Sequence, residues 1–221
     1  MTSVGDSFAW PFQDQQFFSK ILVQGLITII PIVGWIATFG WFMMLIDNYR
    51  AGRRELPPAG FHLERGIAIF VVYLVWAIVF AIPGGVLQGI GNNNDNAGVT
   101  SLGGLIGFVL SLLLAFLAPS IISSTHSAGF AGGFNVGGIW QTATVNPTNS
   151  IIAGLLIWVA SIISWAGIIL CCVGLLFTIP YGVAIMAGVV AWFEGVSGGG
   201  GTAMAPAAPP PPPPAPTAPT A

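Results

Sequence analysis

The sequence predicts an all-α fold, a polytopic bundle of membrane-crossing helices with an interfacial or re-entrant segment and a disordered tail. Three observations carry that prediction. Only 12 of the 221 residues are charged, 5 Lys+Arg and 7 Asp+Glu, while 55% are hydrophobic. A soluble domain, in which roughly a quarter of residues are charged, could not be covered with so few polar groups. Mean hydropathy is +0.87, and uncharged apolar runs long enough for a spanning helix, about 20 residues, recur along the chain. Charge is also unevenly placed: ten of the 12 charged residues lie in residues 1–65, and after Arg65 only Asp95 and Glu194 remain. The net charge of −2 leaves no basic footprint, so nucleic acid is not an expected partner. Soluble enzymes and secreted disulfide scaffolds fit this composition no better.

Residues 1–19 mix polar side chains with Phe8, Trp10, Phe12, Phe17 and Phe18. Such rings suit the headgroup zone, and the stretch reads as an interfacial segment leading into a membrane domain at 20–195. It holds no Lys or Arg, so no signal peptide is expected. Lys20 and Asp47 then enclose 26 uncharged residues. As one helix these would reach about 39 Å, beyond the ~30 Å hydrocarbon core. Pro31 and Gly34 interrupt them. Either a single tilted helix kinks at Pro31, or helices near Phe12–Ile30 and Ile32–Arg50 form a hairpin. The hairpin is preferred and gives six spans; the kinked helix gives five.

Residues 47–65 form the one charged loop, with Arg50, Arg53, Arg54 and Arg65 among the five basic residues of the chain. The positive-inside rule places it in the cytoplasm. Pro57 and Pro58 end any helix that extends through Arg53 and Arg54. Gly66–Ile90 is the next span, with Pro83 near its end. An Asn-rich external loop follows, then a span over Leu102–Ile122 containing Pro119. Gly103 and Gly107 stand there in the GxxxG spacing that allows close helix approach. Residues 123–148 are too polar to span easily and read as an interfacial or re-entrant segment. Ile151–Phe193 is 43 residues without charge, about 64 Å as one helix, so it must fold back. The expected break is Cys171–Pro180, with spans near Ser150–Leu170 and Thr178–Phe193 and Pro180 starting the second. From 196 to 221 the chain is Gly-, Pro- and Ala-rich, with nine of its 17 prolines. This composition predicts an extended tail, cytoplasmic by helix parity. LITIIP at 26–31 and LLFTIP at 175–180 look alike. Chance similarity is the simpler account, and two related hairpins the other.

The stretch MMLIDNYRAGRRELPPAGFHLERGIAIFVVYLVW joins an apolar helix ending in Asn48, Tyr49 and Arg50 to a basic linker with Leu56-Pro57. A new apolar helix then starts at Gly66. With IPIVGW upstream and CCVGLLFTIPYG downstream, it resembles the bacterial and archaeal membrane family called domain of unknown function 4013, over roughly residues 8–195. Asn48 stands where that family commonly has Gly, and Pro58 where it has an aromatic. The resemblance implies a polytopic prokaryotic plasma-membrane protein and no established activity.

The candidate chemistry is sparse. Arg50, Arg53, Arg54 and Arg65 suit lipid headgroups, with topology setting the simpler reading. Asp47 is spaced to pair with Arg50 on one helix face. His126, read as a lone histidine, makes no metal site, and adjacent Cys171 and Cys172 suit neither a metal nor an unstrained disulfide. Pro31, Pro83, Pro119 and Pro180 are candidate helix breaks. No Ser/His/Asp or HExxH pattern occurs, so neither catalysis nor a cofactor is expected. A proton-coupled transporter would need an ionisable group at mid-depth, and no charge lies mid-span after Arg65. The favoured function is therefore a non-catalytic scaffold or accessory subunit of a membrane complex. Its partners would be lipids and other membrane proteins, or a second copy of itself. The alternative is a transporter or channel for a neutral or lipidic substrate.

Overall fold

The computed structural model describes residues 4–170 and 174–197. Cys171, Cys172 and the predicted tail beyond residue 197 lie outside them. Among the described residues there are helices and no strands. Helix α1 (Asp6–Ala9) is one turn and leads through a 3-10 turn to α2 (Phe17–Thr28) and α3 (Val33–Arg50). Then follow α4 (Leu63–Asn93), α5 (Ala97–Gly133), α6 (Val136–Val145), α7 (Pro147–Ala166) and α8 (Leu175–Val196). Helix α8 is the hub and touches α1, α2, α3, α5 and α7. The side chains sealed most completely come largely from the helices around it: Ile21, Trp41, Leu45, Ile46, Ile185 and Phe193.

Four helices, α4, α5, α7 and α8, are long and apolar enough to cross a membrane, against the six spans expected. The difference lies in the first hairpin. It does form, turning at Ile29–Ile32, but α2 has only 12 residues and reaches about 18 Å. Helix α3 has 18 residues and ends in Asp47-Asn48-Tyr49-Arg50. At the tip the Val33 N–H donates to the Pro31 carbonyl at 2.7 Å, and Ile32 between them is held at φ 64°, ψ −61°. A β-branched residue there stores roughly 1–3 kcal/mol of backbone strain.

The other boundaries move for local reasons. Within the polar segment 123–148, residues 123–127 continue α5. Two of their hydroxyls are satisfied by their own helix, Thr125 donating to Ile121 O at 2.7 Å and Ser127 to Ser124 O at 3.1 Å. Such residues need not leave a helix. The true break follows at Ala128–Gly129, where Gly129 takes φ 60°, ψ −143°, a conformation reserved for glycine. After it Asn135 caps α6 by accepting the Gly138 N–H at 3.0 Å. Ile139 and Ala143 are buried against Val72, Leu117 and Ile121.

Of the four prolines expected to break helices, only Pro31 marks a helix end. Pro83, Pro119 and Pro180 lie inside α4, α5 and α8, and α8 starts five residues before Pro180. A helical proline leaves the carbonyl four residues back without its donor. In two cases a glycine of another helix covers that carbonyl. Gly25 of α2 lies against Leu176 O, released by Pro180, and Gly154 of α7 against Ala115 O, released by Pro119. Weak Cα–H···O contacts of this kind suit helices in close approach. Glycines also set the α4–α5 crossing: Gly103 meets Gln88 and Gly84, and Gly84 meets Gly107.

Candidate functional site

The charged side chains gather where the last turn of α3, the first turn of α4, the later part of α5 and the end of α8 meet. Arg50 Nε lies 2.8 Å from Glu194 Oε2, and Arg65 Nη1 lies 2.8 Å from Asp47 Oδ2. His126 stands between the two pairs, with Nε2 3.1 Å from Asp47 Oδ1 and Nδ1 3.1 Å from Arg50 Nη1. Arginine has no acceptor, so Nδ1 must accept from it and Nε2–H must donate to Asp47. The geometry thus selects one neutral tautomer. Burial is uneven: the Glu194 side chain is 2% exposed and that of Asp47 39%. Arg50–Glu194 is a close ion contact rather than an aligned hydrogen bond, since neither Glu194 oxygen receives a well-directed donor. Two cations and two carboxylates cancel. Beside them opens a cavity of about 360 Å³ bounded by Met43, Asp47, Arg65, Ile69, Thr125 and His126.

A second polar cluster straps the loop 51–62 to α2. Asp14 Oδ2 accepts from Lys20 Nζ and from the Leu56 N–H, both at 2.7 Å, and Asp14 Oδ1 accepts from the Gln16 N–H at 2.7 Å. Lys20 also donates to Leu56 O at 2.6 Å. Burial by itself would raise the Asp14 carboxyl, but the hydrogen bonds from Lys20, Gln16 and Leu56 outweigh it and hold the group below its ordinary value. Further along the loop, Trp41 Nε1 donates to Pro57 O at 3.2 Å, and the Gly60 N–H donates to Gln24 Oε1 at 3.1 Å.

The four arginines therefore separate. Arg50 and Arg65 are engaged with carboxylates. Arg54 is exposed and donates to Gln13 Oε1 at 2.7 Å, and Arg53 is exposed. Asp47 does not pair with Arg50 as the spacing suggested; it pairs with Arg65 and His126. The more deeply buried Glu194 takes Arg50, because an unpaired carboxylate costs most where water is least available. His126 is not alone either. The sequence signal for the Arg50 pairing was Glu194 itself, a single charge in an apolar helix, which calls for a counter-charge. Among the described residues no group of three His, Cys, Asp or Glu is placed to hold a metal ion.

An all-α chain with four helices of spanning length and apolar outer faces belongs to the class of multi-pass membrane proteins. A family model described as "Protein of unknown function (DUF4013)" matches residues 23–173. That is more than half of the chain, and the protein belongs to this family. No curated protein and no solved structure matches the chain.

Proposed function

We propose that the protein is a non-catalytic scaffold or accessory subunit of a complex in the prokaryotic plasma membrane, with its charged loop and tail in the cytoplasm. The observation that carries this reading is the self-neutralised cluster. Asp47, Arg50, Arg65 and Glu194 are engaged with one another, so they tie helices together instead of lining an ion path. Its partners are lipids and other membrane proteins, or a second copy of the chain. Purification of the full chain in mild detergent tests this. A stable stoichiometric partner, or a defined self-assembly, is expected. A monodisperse lone chain with a water-filled cavity across the bundle would sink the reading. The second reading, a transporter for a neutral or lipidic substrate, is favoured by an apolar cavity between the helices.

We also propose four crossings, with α2 and α3 dipping into the membrane and returning to the side they left. Support comes from the short α2 and from the hairpin tip, where Ile29, Ile30, Ile32 and Val33 are all exposed. A tip in water would carry polar turn residues, as the Asn92–Asn96 loop does. In a background with Cys171 and Cys172 replaced by alanine, Asn94→Cys should react with an impermeant maleimide on intact cells and Ile30→Cys should not. Equal labelling of both would show that the hairpin crosses.

A further inference from the structure

We infer that the apolar cavity between α3, α4, α5, α7 and α8 is a binding site for one acyl chain of a bilayer phospholipid. The inference rests on the helices lying in a membrane and is independent of the scaffold reading. The cavity measures about 240 Å³, and each of the five helices contributes to its wall: Phe42, Tyr73, Ile122, Ile157 and Val183 in chain order. At roughly 30 Å³ per water-sized group, the volume takes about eight methylenes, a stretch of one chain and not two.

Three aliphatic hydroxyls also line this space, on Thr38, Ser161 and Ser164, beside the single phenol of Tyr73. Each donates to a carbonyl of its own helix: Thr38 to Gly34 at 2.8 Å, Ser161 to Ile157 at 2.9 Å and Ser164 to Ala160 at 2.9 Å. Their protons are already used, which leaves the Tyr73 phenol as the one hydroxyl donor of the wall. A water needs two to four polar partners, so this wall offers water little and hydrocarbon much. The occupant follows from the surroundings. Trp35 and Trp165 belong to the lining and are also 39% and 56% exposed on the outer surface. The wall is therefore continuous with the apolar exterior, and what lies against that exterior in a membrane is lipid chain. The charged cavity near His126 differs in kind, because its polar groups are paired with one another.

The test uses the full chain in vesicles containing phosphatidylglycerol with a photoactivatable diazirine on one acyl chain. After illumination, adducts are mapped by mass spectrometry. Adducts are expected at Tyr73 and Val183 inside the cavity and at Phe108, an outward residue of α5 that reports ordinary surrounding lipid. Val183→Phe and Ser161→Leu fill the space from two different helices. Each should cut the Tyr73 adduct about tenfold, a loss of ~1.4 kcal/mol in occupancy, and leave the Phe108 adduct intact. Adducts at Phe108 without any at Tyr73 or Val183 in the unaltered chain would overturn the inference. So would an unchanged Tyr73 adduct in both filled variants. Loss of the Phe108 adduct from the unaltered chain would instead count against the membrane placement of α5.

Discussion

Replacing Arg50 with alanine should destabilise the folded protein by about 3 kcal/mol, the low end of the cost of removing one partner from a buried ion pair. The asymmetry of the pair sets the size. Glu194 is 2% exposed and Arg50 37%, so truncating the arginine strands a carboxylate that water cannot reach. The cost stays at the low end because Arg50 is partly solvated already and the stranded carboxyl can take up a proton. Arg50→Ala also removes the donor to His126 Nδ1, which unsettles the second pair through Asp47. Arg50→Lys should restore part of the loss, keeping the charge without a planar fork to reach both Glu194 and His126. Thermal unfolding in detergent of Arg50→Ala, Glu194→Gln and the double variant checks the assignment. The double variant should be more stable than the summed losses predict by about 1 kcal/mol or more. Strict additivity would mean that the two groups do not act together.

The α4–α5 crossing gives the second large effect, with a sign that flips between adjacent residues. A methyl on Gly84 would come within 2.7 Å of Gly107 Cα, and one on Gly103 within 2.6 Å of Gln88 N. Both obstacles are backbone, which cannot swing aside. Gly84→Val and Gly103→Val should therefore each cost about 1–3 kcal/mol as the hairpin is pushed apart. Gly85 and Gly104 point the other way, and a methyl group added at either would have nothing within 4 Å. Alanine at either should leave the crossing intact and stabilise its helix by up to ~1 kcal/mol. Melting temperatures of the four variants decide the matter. Equal responses at neighbouring positions would show that the helices do not cross on this face.

Much of the architecture was readable from residues alone, for identifiable reasons. The helical character, the charged loop between two apolar helices, and the hairpin turn at Pro31 follow from hydropathy and local stereochemistry. The helix ends were harder. Pro31 marks the end of α2 only approximately, and the stop at Thr28 is blurred because Ile29 and Ile30 are as apolar as the residues before them. Residues 123–127 read as part of an interfacial or re-entrant segment because composition does not show that a serine or threonine hydroxyl can be satisfied by its own helix. Pro119 and Pro180 looked like breaks because the glycines covering the freed carbonyls, Gly154 and Gly25, are distant along the chain. The charged cluster was half legible: Glu194 stood out, but nothing local said that Arg50 would reach it, or that His126 would stand between Arg50 and Asp47.

The packing of the first elements against the last helix bears on how the molecule is made. Trp10 Nε1 donates to Ala184 O across a separation of 174 residues, Tyr181 donates to Phe8 O across 173, and Arg50 meets Glu194. All three partners lie in α8. At a synthesis rate of about 5–20 residues per second, the amino-terminal hairpin waits on the order of ten to thirty seconds for them. Throughout that interval Arg50 has no counter-charge from α8, and the docking faces of α1, α2 and α3 stand open. The contacts that close the bundle around α8 can therefore form only once the last helix has been made.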